Sequence, residues 1–133
     1  MSPIISETVV MLYYKDITAA SAFFGETLGL EMTFSQDTAK LFRLTPTSVV
    51  GVILEGDTSY HKVQASNAVM LSIVTPDVDA WYDRLMKVEG IKFLKPIADS
   101  STNPIRAFLI EDPGGYTIEF FSWKKVVDTE ASN

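Results

Sequence analysis

Asp16-Ile17-Thr18-Ala19 recurs 61 residues later as Asp77-Val78-Asp79-Ala80, and a glycine follows each copy at the same distance, at Gly29 and Gly90. An aspartate favours the start of a helix because its carboxylate accepts hydrogen bonds from the free N–H groups of the first turn. A glycine favours the end because it reaches the left-handed conformation at little cost. The sequence therefore predicts two copies of one structural unit. Apolar residues recur at the same offset: Val10 with Leu71, Leu12 with Ile73, Phe24 with Leu85, Leu30 with Ile91 and Met32 with Phe93.

The composition restricts the class of protein. With 133 residues and 47 % hydrophobic side chains, the chain can form one compact domain or two small halves that share a core. It contains no cysteine, which excludes disulfides, thiolate nucleophiles and cysteine metal sites. The net charge of −6, without a cluster of Lys or Arg, argues against nucleic acid as a partner. No apolar stretch reaches the length of a membrane span and no signal peptide is recognisable, so we expect a cytoplasmic protein with no membrane partner.

The order of predicted elements is βαβββ, and it occurs twice. The first module is predicted over residues 7–55, the second over 67–123, and a polar linker over 56–66 joins them within one domain of residues 1–133. A helix can cover only one face of each sheet, so the other face must meet its twin. We therefore expect an α+β fold of two tandem βαβββ modules, whose curved mixed sheets form a central cleft. The predicted strands are 8–14, 30–35, 40–44, 49–54, 69–75, 91–94, 106–110 and 116–123.

Several motifs resemble the vicinal oxygen chelate superfamily, which includes glyoxalase I, bleomycin-resistance proteins, fosfomycin-resistance enzymes and extradiol dioxygenases. In the first module the resemblance lies in Tyr14-Lys15-Asp16, Ala22-Phe23-Phe24 and Leu28-Gly29-Leu30. It is strongest in Ala107-Phe108-Leu109-Ile110-Glu111-Asp112-Pro113-Gly114-Gly115-Tyr116-Thr117-Ile118-Glu119, which is similar to the closing hairpin of glyoxalase I. Gly114 stands where an aspartate is usual. The resemblance implies the fold more specifically than the function, because this fold hosts lyases, transferases, dioxygenases and drug binders.

The resemblance also implies four positions for metal ligands, two in each module. The ligand on the first strand lies seven residues before the aspartate that begins the helix, which places it at Val9 and Met70 here. The next expected position falls at Gly51 or Val52, and Glu119 matches the fourth. Valine and glycine carry no donor, and methionine offers only a soft thioether. We therefore predict no metal ligands and no cofactor.

The same positions define the inward faces of the strands, since alternate residues of a strand share a face. Met and aromatic side chains suit a flat, apolar or aromatic ligand. Glu119 would lie in a largely apolar wall, where it accepts a hydrogen bond from the ligand, attracts a cationic ligand or pairs with Arg106. His61 is expected to be a solvated residue of the linker, and Trp81 a core residue of the second helix. The predicted ligand-binding residues are Met11, Tyr13, Met70, Ser72, Phe108, Glu119, Phe121 and Trp123.

Three functions are compatible with this sequence. The first is metal-independent binding and sequestration of a small apolar or aromatic molecule, as in bleomycin resistance. The second is an enzyme, either a glyoxalase-like lyase or isomerase, or a relative that uses Glu119 as a base or residual metal ligand; no other catalytic residue is predicted. The third is a domain without a ligand that serves protein association. The resemblance implies a homodimer, either closed or with modules exchanged between chains.

Overall fold

The computed structural model describes residues 2–124, which form two compact units, one up to Asn67 and the other from Ala68 onward. The elements of the first unit are β1 (Thr8–Tyr14), α1 (Ile17–Ala22), a π-helical segment (Phe23–Thr27), β2 (Glu31–Gln36), β3 (Ala39–Thr45) and β4 (Ser48–Leu54). Those of the second are β5 (Met70–Val74), α2 (Val78–Met86), β6 (Lys92–Asp99), β7 (Ile105–Glu111) and β8 (Thr117–Trp123).

Each unit contains one mixed four-stranded sheet, and the two sheets have the same topology. Their strand orders are β1-β4-β3-β2 and β5-β8-β7-β6. The first and last strands of each unit pair in parallel, and the other pairs are antiparallel. The predicted α+β fold of two βαβββ modules is therefore confirmed, while the central cleft stays a prediction. Between residues 2 and 124, no helix has both the length and the apolar character that crossing a membrane requires.

The two helices begin differently, although the sequence predicts the same start for both. The carboxylate of Asp16 accepts a hydrogen bond from the backbone N–H of Ala19 at 2.9 Å, as predicted. Asp77 occupies the corresponding position before α2, but its side chain makes no capping hydrogen bond. Its own backbone N–H instead donates to the hydroxyl of Thr75 at 3.0 Å. The expected capping role of Asp77 is therefore wrong, and a turn closed by Thr75 leads into the helix.

The helix ends agree with the repeat, with one local difference. Gly29 and Gly90 have φ angles of 73° and 86°, in the left-handed region that glycine adopts most readily. The first helix, predicted to be continuous up to Gly29, widens into the π-helical segment over its last turn. There the N–H of Leu28 donates to the carbonyl of Phe23, five residues earlier. The second helix ends as an α-helix at Met86.

The core of each unit lies between its helix and one face of its sheet. In the first unit the ring centroids of Phe24 and Phe42 are 6.0 Å apart, and both rings are buried. In the second unit Phe108 stacks on Phe120 at 5.1 Å, and Tyr82 of α2 packs edge-on against Phe108 at 5.0 Å. The remaining fully buried core residues include Leu12, Tyr14, Val50, Val52, Leu85, Ile110 and Ile118.

Candidate functional site

The open face of the second sheet, meaning the face opposite α2, carries most of the predicted ligand-binding residues. Across this face, Ser72 of β5, Glu119 of β8, Leu109 of β7 and Lys95 of β6 lie side by side in register. The hydroxyl of Ser72 donates to Oε1 of Glu119 at 2.7 Å. Among the residues from 2 to 124, the other carboxylate oxygen of Glu119 has no hydrogen-bond partner. The candidate site therefore presents one oriented acceptor group.

Apolar and aromatic side chains lie on the same face as this carboxylate. Met70 and Trp123 are 50 % and 66 % exposed, and Phe121 packs edge-on against Trp123 at 5.0 Å between ring centroids. The parallel register of β5 with β8 places Met70 beside Thr117 and Val74 beside Phe121. The alternation of side chains along a strand predicts that they share a face with Glu119, and the register of β5 with β8 agrees with this prediction.

Phe108 does not belong to this face. It is 0 % exposed and lies among the rings of Tyr82, Phe93 and Phe120 on the helix side of the sheet. Its ring therefore packs in the core of the second unit. Phe108 is also one of the residues that line a pocket beside Glu119, so its placement among the ligand-binding residues stays a prediction. The next residue, Leu109, pairs with Glu119 and takes the expected place on the open face. The sequence of β7 is apolar on both faces, so its pattern did not distinguish them.

Arg106 also lies away from Glu119, which rules out the expected pair between them. Its guanidinium contacts Asp79 of α2 at 3.0 Å and Asp99 at 3.2 Å, on the helix side of the sheet. The hydrogen bonds that Arg106 donates to Asp79 and Asp99 raise the pKa of Arg106 above its ordinary value. Hydrogen bonds from Lys124 and Arg106 lower the pKa of Asp99. This ion-pair cluster is structural, and it leaves Glu119 without a cationic partner.

The first sheet carries Met11 and Tyr13 on its open face, as predicted from the alternation. Met11 pairs with Gly51 as Ser72 pairs with Glu119, so Gly51 is the counterpart of Glu119 in the first unit. A Cβ atom at Gly51 would lie 2.5 Å from the sulfur of Met11. The thioether of Met11 thus occupies the space that a carboxylate would need. Val52, the other residue considered for this position, is fully buried on the helix side.

The four positions that the family uses for metal ligands do not fit a metal here. They hold Val9, Gly51, Met70 and Glu119, of which Glu119 alone offers a hard donor atom. Within the described range 2–124, no three His, Asp or Glu side chains come close enough together to hold a metal ion. We therefore derive no chemical step through a metal.

A pocket of about 230 Å³ lies beside Glu119 in the second unit. Its lining includes Lys95, Leu109 and the polar loop that follows β6. The sequence pattern does not indicate these residues, because it predicts that β6 ends at Leu94. The observed strand continues to Asp99 through two irregularities in its pairing with β7.

The linker is more ordered than its polar composition indicates. His61 is exposed, as predicted, but its ring lies edge-on against Tyr13 at 5.4 Å and against Tyr60 at 4.8 Å. The backbone N–H of Val63 donates to the carboxylate of Glu55, and the hydroxyl of Ser59 donates to backbone carbonyls of the same loop. These contacts hold the linker against the end of the first sheet.

Comparisons with known proteins agree on the fold. A protein from Nocardioides described as a glyoxalase/bleomycin resistance protein/dioxygenase is 21 % identical, with a TM-score of 0.73, covering 94 % of this chain and 87 % of its own. TioX from Micromonospora sp. ML1 is 22 % identical, with a TM-score of 0.72 and coverages of 89 % and 98 %. A lactoylglutathione lyase from Agrobacterium tumefaciens is 20 % identical, with a TM-score of 0.71 and coverages of 91 % and 96 %. At these identities the structures show a shared fold alone.

No functionally curated protein shows significant similarity to this sequence. The sequence model of one family, described as the Glyoxalase/Bleomycin resistance protein/Dioxygenase superfamily, matches residues 8–120. That match spans both βαβββ units, including the strands β1, β4, β5 and β8 that carry the four candidate ligand positions. The chain therefore belongs to the glyoxalase/bleomycin resistance protein/dioxygenase superfamily, the vicinal oxygen chelate fold.

Proposed function

We propose that this protein binds a small apolar or aromatic molecule without a metal, on the open face of the second sheet beside Glu119. The observation that carries the proposal is the combination of one oriented carboxylate with exposed apolar side chains on the same face, among them Met70 at a position expected for a metal ligand. Met70 stands at a position expected for a metal-ligating residue, and its flexible, polarisable side chain adapts well to flat molecules. Phe121 and Trp123 supply rings on which such a molecule can stack.

Differential scanning fluorimetry with a panel of planar aromatic compounds tests this proposal. A ligand present at a hundred times its Kd adds about 2.7 kcal/mol of stability, which raises the Tm by roughly 10 °C for a domain of this size. The variant Phe121→Ala is expected to lose most of that shift. Met86→Ala serves as the control, because Met86 is also a large apolar residue but is exposed on α2, away from the open face. If no planar compound raises the Tm of the wild-type protein, the proposal fails.

An enzyme that uses Glu119 as a general base or residual metal ligand is the second candidate. It is favoured by one observation: Ser72 holds one oxygen of the carboxylate, the other has no hydrogen-bond partner among residues 2–124, and Glu119 lines the pocket. Glu119→Gln keeps the size of the side chain and removes the base. For any substrate found, turnover should then fall about 10²- to 10⁴-fold, the usual contribution of a general base. Unchanged turnover would eliminate this candidate.

A homodimer, which membership of the family suggests, is a separate proposal. Light scattering during size-exclusion chromatography should give twice the 14.7 kDa mass of one chain. A mass of one chain at micromolar concentration would contradict it.

A further inference from the structure

We infer that the ligand is a small, flat zwitterion whose two opposite charges lie at its two ends, one bound by Glu119 and the other by Lys95. This inference rests on the proposed function and names the class of ligand. Glu119 and Lys95 lie in one row of the second sheet, with Leu109 between them. Neighbouring strands are about 4.8 Å apart, so the backbones of Glu119 and Lys95 are separated by roughly 10 Å. Both side chains and Leu109 line the 230 Å³ pocket.

The position of Lys95 depends on an irregularity in β6. Phe93 packs against Tyr82 on the helix side of the sheet. In a regular strand the residue two positions later would share that face. The pairing of β6 with β7 shifts between Phe93 and Lys95 and again before Ala98. Such shifts are typical of a bulge, which redirects a side chain. Here Lys95 pairs with Leu109, which pairs with Glu119 on the open face, and Lys95 and Glu119 line the same pocket.

The adjacent row of the same sheet shows what a structural ion pair looks like here. Lys92 and Glu111 lie on directly neighbouring strands, and their charged groups are 2.8 Å apart. In the Glu119 row an apolar residue separates the charges instead. In the part of the chain that the structure describes, the side chain of Lys95 has no ion pair or hydrogen bond, and the carboxylate of Glu119 is bonded only to Ser72. Two opposite charges on either side of an apolar floor are therefore available to a ligand.

Two other polar side chains of the pocket lining, those of Asp99 and Ser100, already have partners. Asp99 forms ion pairs with Lys124 and Arg106 at 3.2 Å each. The hydroxyl of Ser100 accepts hydrogen bonds from the backbone N–H groups of the next loop residues, at 3.2 and 3.0 Å. The rim is thus held in place before a ligand binds. A volume of about 230 Å³ lies below the range of roughly 300 to 1,000 Å³ that is usual for drug-sized ligands, so the occupant should carry one or two fused rings.

Four probes of one shape separate the contributions of the two charges. They are 4-(aminomethyl)benzoate, which carries both charges, 4-methylbenzylamine, 4-methylbenzoate and the neutral 4-methylbenzyl alcohol. Titration calorimetry on the full chain should give the zwitterion at least about tenfold higher affinity than the neutral probe, because a hydrogen bond to a charged group contributes about 1.5 to 3 kcal/mol. Lys95→Gln should remove the preference of the zwitterion over the amine. Glu119→Gln should remove its preference over the benzoate.

Lys87→Gln is the matched control, since Lys87 is exposed at the end of α2 and its loss changes the net charge equally. It should leave all four affinities unchanged. Equal affinity for the four probes would overturn this inference and leave the proposed function intact. An equal effect of Lys87→Gln and Lys95→Gln would also overturn it, because the attraction would then be a property of net charge. Failure of every planar compound, these probes included, would overturn the proposed function itself.

Discussion

Replacing Phe108 with alanine should strongly destabilise the second unit, because the ring lies at the centre of its aromatic core. Phe108 is 0 % exposed, stacks on Phe120 at 5.1 Å and contacts Tyr82 edge-on at 5.0 Å. Buried Phe→Ala substitutions cost about 3 to 5 kcal/mol through lost burial and the cavity left behind. Each aromatic pair contributes about 0.5 to 1.5 kcal/mol beyond its area. We therefore expect a loss of roughly 4 to 5 kcal/mol, a large part of the total stability of a small domain.

Urea denaturation followed by circular dichroism measures this loss. The matched control is Phe121→Ala on β8, because it removes the same ring from the open face, where Phe121 is only half-buried. Its expected cost is about 1 to 1.5 kcal/mol, mainly for the contact with Trp123. The slope of the free energy against urea should be the same in both variants, so the midpoints compare directly.

The two variants should also differ in ligand binding. Phe108→Leu, which keeps the core filled, should bind planar probes as the wild type does, whereas Phe121→Ala should not. If Phe108→Ala were no more destabilising than Phe121→Ala, the assignment of Phe108 to the helix side would be refuted. Loss of binding in a stable Phe108→Leu protein would refute it as well.

Three further predictions concern metal content, pH and packing. Elemental analysis should find far less than one transition-metal ion per chain, because only one of the four expected ligand positions has a hard donor. EDTA should leave the Tm unchanged for the same reason. One Ni, Zn, Mn or Fe per chain would contradict this. Wild type should melt above Asp99→Asn at neutral pH. Hydrogen bonds and ion pairs with Lys124 and Arg106 lower the pKa of Asp99 from 3.8. The difference in Tm should therefore persist above pH 3.8 and vanish as the pH falls through the lower pKa of the folded state. A difference in Tm that is independent of pH would refute the ion-pair argument. Gly51→Ala should cost no more than about 1 kcal/mol in urea denaturation, because the half-exposed Met11 side chain can move aside. Adding Met11→Ala should remove most of that cost and leave the contact with Cδ2 of Leu41 at 3.1 Å. A larger loss would show a rigid contact.

The repeat in the sequence was sufficient to predict the architecture. Helix ends at Gly29 and Gly90 and the alternation in β1 and β8 are local features, which depend on residues near one another in the chain. They identified both modules and the faces of Met11 and Glu119. The expected cap at Asp77 failed for an equally local reason. The hydroxyl of Thr75 accepts a hydrogen bond from the backbone N–H of Asp77. The sequence alone did not show which of the two side chains, Thr75 or Asp77, would bond to the backbone at the start of the helix.

The candidate site was predictable only in part. The ligand positions of the family pointed to Glu119 and Met70, and the register places both on the open face of the second sheet. The sequence did not show that the ring of Phe108 faces the helix, because both faces of β7 are largely apolar and neither is a polar face. The expected pair of Glu119 with Arg106 was wrong. Ser72 donates a hydrogen bond to Glu119, while Arg106 pairs with Asp79.

The sequence by itself determined the fold. It also showed that three of the four expected ligand positions lack a hard donor, and it identified Glu119 as the polar residue of the candidate site. Each of these depends on residue type and on spacing along one element. Only the tertiary structure decided which residues accompany Glu119. Strand pairing sets the register, and a register shift exchanges the two faces of a strand. The shift in β6 brings Lys95 to the open face and aligns it with Leu109 and Glu119, residues distant in sequence. The sequence pattern of β6 does not predict that alignment, because the alignment arises from the pairing of β6 with β7.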